Sequence, residues 1–384
     1  MENEIIYLDH AAATPVDPRV LSVMQPFFTD NFYNPSSPYM PAVNVRRDIE
    51  EARHKIAIAI GAKPGEIIFT AGATESINLA ISGIGGHVIT SNVEHHAVLN
   101  TAKKYDHTIV DADVRGMAQP DSIKLAIRPD TKLVSVALAN NELGTVQPLR
   151  NIALIIKNER NERLLNGNKT PIYLHCDASQ GIGQLDVNVA RLGVDMMTIN
   201  SGKIYGPKQV GLLWMASNVK IDPVILGGGQ EKGLRSGTEN VAGIIGFAKA
   251  LELVVDHKKY ESDRLSKLRD YIQGKLSEAF PKAVLSGHQK HRLSGHLHIS
   301  FPGLDGERLI FLLENRGVLV STGSACAANK GTRSHVLMAI GLAPEIADGS
   351  IRITLGHLSN DDNIQKATEI IIEEVKKEYD RIQK

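Results

Sequence analysis

The chain has 384 residues, 43 Lys+Arg against 43 Asp+Glu, and 42% hydrophobic and 22% charged residues. Balanced charge predicts a globular protein with no basic face for nucleic acid and no affinity for a membrane. Two cysteines exclude a disulfide framework and predict a reducing compartment; the acidic start "MENEIIYLDH" is no signal peptide, so a cytoplasmic location is expected.

In chain order, short β-rich runs alternate with amphipathic helical stretches through the first 215 residues. The strand candidates are 66–70, 87–90, 107–113, 132–139, 172–178, 196–200 and 210–215. Helical patterns such as "AVLNTAKKY" (97–105) and "NIALIIKNERNERLL" (151–165) lie between them. This alternation predicts a mostly parallel sheet covered by helices on both faces. An apolar-faced helix over 239–256 and a separate charged helix over 258–279 follow. Strands near 295–301 and 317–321, a helix over 305–315, a strand over 350–355 and a final helix complete a smaller α+β unit. The final helix places Ile364, Ala367, Ile371 and Val375 on one stripe, the spacing of a core-facing helix.

Three segments carry chemistry. In "FTAGATESINLA" (69–80) a strand ends, Gly72 turns the chain, and Thr74 and Glu75 open a helix. The N–H groups at such a helix start bind anions, although a plain glycine turn with a capped helix reads the same way. "LHCDASQ" (174–180) ends a strand on Asp177, a costly place for a carboxylate unless a cationic partner compensates it. About 25 residues later, one β-α-β step, "INSGKIYGPK" puts Lys203 at the end of the next strand. An acid and a lysine delivered together to the carboxyl ends of a sheet suggest pyridoxal phosphate (PLP): a Schiff-base lysine and a carboxylate for the pyridine nitrogen. Singly, Lys203 reads as a surface lysine and Asp177 as a helix cap.

Nine segments identify a resemblance: "YLDHAAATPVDPRV", "FTAGATES", "VEHHAV", "NNELGTVQ", "CDASQGIGQL", "KIYGPK", "GGGQEKGLRSGTEN", "STGSACAA" and "GSIRITLGHLS", in this order. The chain resembles the NifS/IscS-type cysteine desulfurases, class V aminotransferases with the PLP fold type I, in the branch with a long "SGSAC" loop. The resemblance implies an aspartate aminotransferase-like fold: a large α/β domain over 15–255 with a seven-stranded, mostly parallel sheet, and a small α+β domain from 1–14 and 256–384. The small domain would carry the cysteine loop at about 321–333.

The resemblance also implies the roles. Lys203 would hold the cofactor and act as the base at the substrate Cα. Asp177 would pair with the ring nitrogen, Gln180 with the ring hydroxyl, and His95 would stack on the ring and assist proton transfers. Ala73 and Thr74 would bind the phosphate. Asn141 would lie near the ring oxygen and the substrate. Arg352 would clamp the substrate carboxylate, and Thr238 would reach the neighbouring subunit's phosphate, which implies a homodimer with shared active sites. Cys326 would take sulfur from L-cysteine as a persulfide and pass it to an acceptor or scaffold protein, for iron–sulfur clusters or thiolated tRNA and cofactors. Relatives usually have His where Gly202 stands and Ser where Asn200 stands, so Ser201, with Asn200 beside it, becomes the phosphate candidate there. His357 stands where relatives often carry Arg.

Selenocysteine lyase, another class V aminotransferase, and a sulfur-trafficking scaffold without turnover are the alternatives. Cys176, inside a strand, reads as core. Of His288, His291, His296 and His298, only His296 and His298 share a strand face, and no metal site is expected.

Overall fold

The computed structural model describes residues 5–323 and 333–383. The strands in chain order are β1 (Ile6–Tyr7), β2 (Ile67–Thr70), β3 (His87–Ser91), β4 (His107–Val110), β5 (Thr131–Ala137), β6 (Tyr173–Asp177), β7 (Met196–Asn200), β8 (Gly211–Met215), β9 (Val284–Leu285), β10 (His296–Ser300), β11 (Val318–Leu319) and β12 (Ser350–Thr354).

Seven strands form the main sheet in the order β2-β8-β7-β6-β5-β3-β4. The neighbours from β4 through β7 run parallel, and β8 runs antiparallel to both β7 and β2. Each of the seven expected runs forms a strand of this sheet. Alternate side chains serve two cores, as a strand's period of two requires. Ile67 and Phe69 of β2 pack with Ile49, Ile56 and Ile60 of the helix Met40–Ile60, whereas Ile68 packs with Ile77 and Ile81 of the helix Ala73–Ile84. Both faces are thus covered, and strands such as β2 and β3 are buried along their whole length.

A second core lies around the antiparallel sheet β9-β10-β12 and the parallel pair β1-β11. Leu297, Ile299, Ile351 and Ile353 meet Ile364, Ala367, Ile371 and Val375, so the stripe on the final helix (Asp361–Ile382) is buried. Cys176 is fully buried on β6.

One expectation is corrected. The two helices expected over 239–256 and 258–279 are a single helix, Val241–Ala279. Its first half packs in the large core through Ile244, Phe247, Leu251 and Val254, and its second half in the small core through Leu265, Leu268, Ile272 and Leu276. The polar stretch between them carries neither Gly nor Pro. It is polar because the helix there crosses between two cores, and nothing in it breaks the hydrogen-bond ladder.

Candidate active site

The carboxyl ends of β3, β5, β6 and β7 converge on one cleft of about 330 Å³. Its wall includes Ala73, Thr74, His95, Asn141, Asp177, Gln180, Lys203 and Arg352, eight of the residues expected from sequence.

Lys203 ends a single 3-10 turn, Ser201–Lys203, directly after β7. Its Nζ donates to the carbonyls of Ala11 and Ala12, both at 2.7 Å. The loop beyond it is held in an unusual shape, with Tyr205 at φ 62° and Gln209 at φ 60°. Non-glycine residues occupy that left-handed region only where their surroundings over-determine it. At Tyr205 Thr14 does so: its hydroxyl donates to the Gly202 carbonyl at 3.2 Å and accepts from the Tyr205 N–H at 2.9 Å. The N-terminal segment 11–14 and the lysine turn are therefore one laced unit.

Asp177 closes β6, and its Oδ1 accepts from the Ser179 N–H at 3.0 Å and the Ser179 hydroxyl at 2.6 Å. Gln180 donates from Nε2 to the Ala11 carbonyl at 3.0 Å. Opposite, Gly72 adopts φ 141° and starts the helix Ala73–Ile84, whose first-turn N–H groups open into a hollow shared by Thr74, Asn200, Gly202 and Lys203. That is the chemistry of an anion site. Gly211 on β8 backs this turn so closely that a Cβ there would lie 2.7 Å from the Gly72 Cα and 2.8 Å from the Ile199 carbonyl oxygen.

His95 caps the helix His96–Ala102, its Nδ1 accepting from the Ala97 N–H at 3.1 Å. The proton of the neutral ring therefore sits on Nε2. Burial lowers the pKa of His95; the Asp177 carboxylate opposes the shift, and the imidazole stays neutral. Beneath it Glu94 is fully buried between β3 and β5, accepting from the Ser91 hydroxyl at 2.8 Å and the Ala137 N–H at 2.9 Å. Burial pushes Glu94 up to about 8, which keeps a second negative charge away from Asp177 at neutral pH.

Arg352 reaches across from β12, donating to Asp9 Oδ1 at 2.6 Å and to the Asn141 carbonyl at 3.1 Å. Its side chain is 2% exposed and that of Asp9 17%. Asn140 shapes the adjoining turn, accepting from the N–H groups of Glu142 and Leu143 at 2.9 and 2.8 Å.

Two expected residues stand elsewhere. Ser201 is not in the wall. Its side chain turns inward, where a Cβ on Gly206 would come within 2.0 Å of its Oγ, because the 3-10 turn rotates it away from the cleft. Asn200 lines the cleft in its place and caps the Gly202 N–H at 3.1 Å. Thr238 is exposed and outside this chain's cleft. Cys326 lies outside the described residues. The carbonyls of residues 11 and 12, Thr14, Asp9 and Glu94 were not picked out from sequence. "YLDHAAATP" was the available signal for the first four, but a backbone carbonyl has no residue-type signature. The rings of His288 and His291 lie 4.7 Å apart in a loop, tilted by 59°, while His296 and His298 are buried on β10; among the described residues no group of His, Cys, Asp or Glu is arranged to hold a metal ion. No helix among the described residues is long and apolar enough to cross a membrane.

The aminotransferase class-V family model matches residues 6–367. The chain is 43% identical over 378 residues to the cysteine desulfurase IscS of Dictyoglomus turgidum, covering 95% of this chain and 93% of the relative. It is 41% identical to the cysteine desulfurase IscS of Methanosarcina thermophila, covering 98% and 93%. Among solved structures, a NifS-like protein superposes with a TM-score of 0.88 at 34% identity, covering 96% of this chain and 98% of that one.

Proposed function

From a chain that belongs to the class-V aminotransferases and is a cysteine desulfurase, we propose that the cleft binds PLP through Lys203, takes L-cysteine, and delivers its sulfur to Cys326 with release of L-alanine. The observation that carries this reading is the pair at neighbouring strand ends. Asp177 closes β6 and Lys203 follows β7, and both share one cleft with the start of the helix Ala73–Ile84. An anion site, a carboxylate and an amine are the donor set that a phosphate, a ring nitrogen and an aldehyde require.

When bound, PLP supplies an electron sink that stabilises negative charge at the substrate Cα. The chain's own residues do the rest. Thr74, the helix N–H groups and Asn200 would hold the phosphate, with Ala73 at the first helical position. Asp177, oriented by Ser179, would keep the ring nitrogen protonated. Gln180 would meet the ring hydroxyl, and neutral His95 would stack on the ring and assist proton transfers, its Nδ1 being held by the Ala97 N–H. Lys203 takes the Cα proton. Arg352 offers its planar fork to the substrate carboxylate beside Asn141.

The Cys326 thiolate then attacks the substrate sulfur, the C–S bond breaks, and the carbon side takes up a proton to become alanine. The persulfide is passed to an acceptor protein for iron–sulfur cluster or thio-cofactor and tRNA synthesis. The enzyme works as a homodimer in which Thr238, exposed and outside its own cleft wall, serves the neighbour's phosphate. Residues 15–255 and the combination of 1–14 with 256–384 are the two domains of this reading, and the cytoplasm is its setting.

The test is chemical. After incubation with L-cysteine and alkylation, mass spectrometry is expected to find one added sulfur on the peptide containing residue 326. Cys326→Ala is expected to release no sulfide in the presence of a reductant. Sulfur carried only elsewhere, or undiminished release by the variant, refutes the assignment.

A further inference from the structure

The hollow at the start of the helix Ala73–Ile84 holds a group at odds with an anion site. Among its described lining residues Glu75 is the single carboxylate, set in the first turn of that same helix. An acid there ordinarily stabilises a helix, because it takes up free N–H groups at the positive end of the dipole. Glu75 does this: its Oε2 accepts from the Ala71 N–H at 3.1 Å, directly before Gly72. A phosphate in the hollow competes for the same positive end, and two negative groups side by side repel.

Arg235 offsets that repulsion. Its Nε donates to Glu75 Oε1 at 2.8 Å and its Nη2 lies 3.5 Å from Oε2, so one guanidinium spans the carboxylate. The two side chains are 23% and 19% exposed, which removes much of the screening that makes surface ion pairs weak. Neither residue has a part in the reaction described above.

The segment that supplies Arg235 is itself fixed. A β-bridge joins Ile225 to Arg235, the Ser236 hydroxyl accepts from the Gly229 N–H at 3.2 Å, and Gln230 Oε1 accepts from the Gly237 N–H at 2.9 Å. Glu231 is buried in the same segment, and its carboxylate accepts from Arg53 Nη2 at 2.7 Å and from the Phe69 N–H of β2 at 2.8 Å. Because β2 ends at Thr70, one residue before Ala71, the guanidinium is tied to the strand that leads into the phosphate turn.

We propose that Arg235 is a positioning residue for the cofactor phosphate: it neutralises and holds the Glu75 carboxylate, so that the helix start and the turn at Gly72 receive a phosphate instead of repelling it. The proposal rests on this hollow being the phosphate site of the cleft's cofactor. The effect of Arg235 passes through Glu75.

The experiment separates the phosphate from the rest of the cofactor. The full chain, freed of cofactor, is titrated with PLP and with pyridoxal, which has the ring and the aldehyde but no phosphate, and binding is read by absorbance. Arg235→Gln is expected to weaken PLP roughly 10- to 100-fold, the scale of one like charge left beside the phosphate, and to leave pyridoxal within about twofold. Adding Glu75→Gln to that variant keeps an acceptor for the Ala71 N–H while removing the charge, and is expected to return PLP affinity to near the wild-type value. Arg235→Met, which keeps the apolar stem, gives the same readout should Arg235→Gln fail to fold. PLP affinity unmoved in a folded variant, an equal loss for both ligands, or a double variant that stays weak overturns the proposal. A wild type that binds pyridoxal as tightly as PLP, or an absorbance change that survives in Lys203→Ala, instead overturns the reading of the cleft as a PLP site.

Discussion

Replacing Arg352 by Gln separates the structural role this side chain has from the substrate role proposed for it. In the structure the guanidinium is buried, bonded to Asp9 at 2.6 Å and to the Asn141 carbonyl at 3.1 Å. Removing one partner of a buried ion pair costs about 3–5 kcal/mol. Asp9 retains 17% exposure and regains some hydration, so the loss belongs at the lower end, about 3 kcal/mol, or several degrees of Tm. If the same fork binds the substrate carboxylate, its removal costs about 2–4 kcal/mol more in binding, a rise in KM of roughly 30- to 1,000-fold. Because ground and transition states both carry that carboxylate, kcat is expected to change little. Arg352→Lys keeps the charge but loses the planar fork and is expected to fall between, at about tenfold. Steady-state kinetics with L-cysteine and thermal melts on the same preparations provide the readout. An unchanged KM in both variants alongside a lowered Tm refutes the substrate role and leaves Arg352 as a strut between Asp9 and the turn at Asn141.

Asp177→Asn is expected to retain the cofactor while lowering kcat about 100-fold or more, the scale of losing a preorganised electrostatic partner; wild-type turnover sinks the ring-nitrogen assignment. Gly211→Ala forces its Cβ against the backbone of Gly72 and Ile199, so the phosphate turn must shift; cofactor affinity, titrated by absorbance, is expected to fall about tenfold, at a stability cost of about 1–3 kcal/mol, and unchanged affinity contradicts it. His10 and His175 titrate at about 4 and His296 and His298 at about 3 in the folded chain, all below the ordinary 6.5. Below pH 6.5 the unfolded chain takes protons that these rings refuse, so stability falls with acidification by up to about 1.4 kcal/mol per pH unit for each. Glu94 works in the opposite sense: raised to about 8, it contributes stability below its unfolded pKa that is lost as pH rises through 8. Urea midpoints are expected to drop steeply from pH 6.5 to 5, less so in His298→Asn; a flat profile contradicts the buried, neutral histidines.

The alternating sheet, the buried stripe on the last helix and the placement of Asp177 and Lys203 at neighbouring strand ends are legible in the sequence. In each case the signal is local: a period of two or 3.6, or a residue type delivered at a strand end. Three features were decided by tertiary structure alone. The polar middle of Val241–Ala279 reads as a break between helices until two separate cores are seen at its ends. Asn200 lines the cleft and Ser201 does not, because a single 3-10 turn sets which neighbour faces it. The carbonyls of residues 11 and 12 reach Lys203 from about 190 positions away along the chain, and any residue type could have supplied them. Composition and spacing record what side chains can do; the long-range packing that brings backbone atoms and remote segments together leaves no such trace in the order of residues.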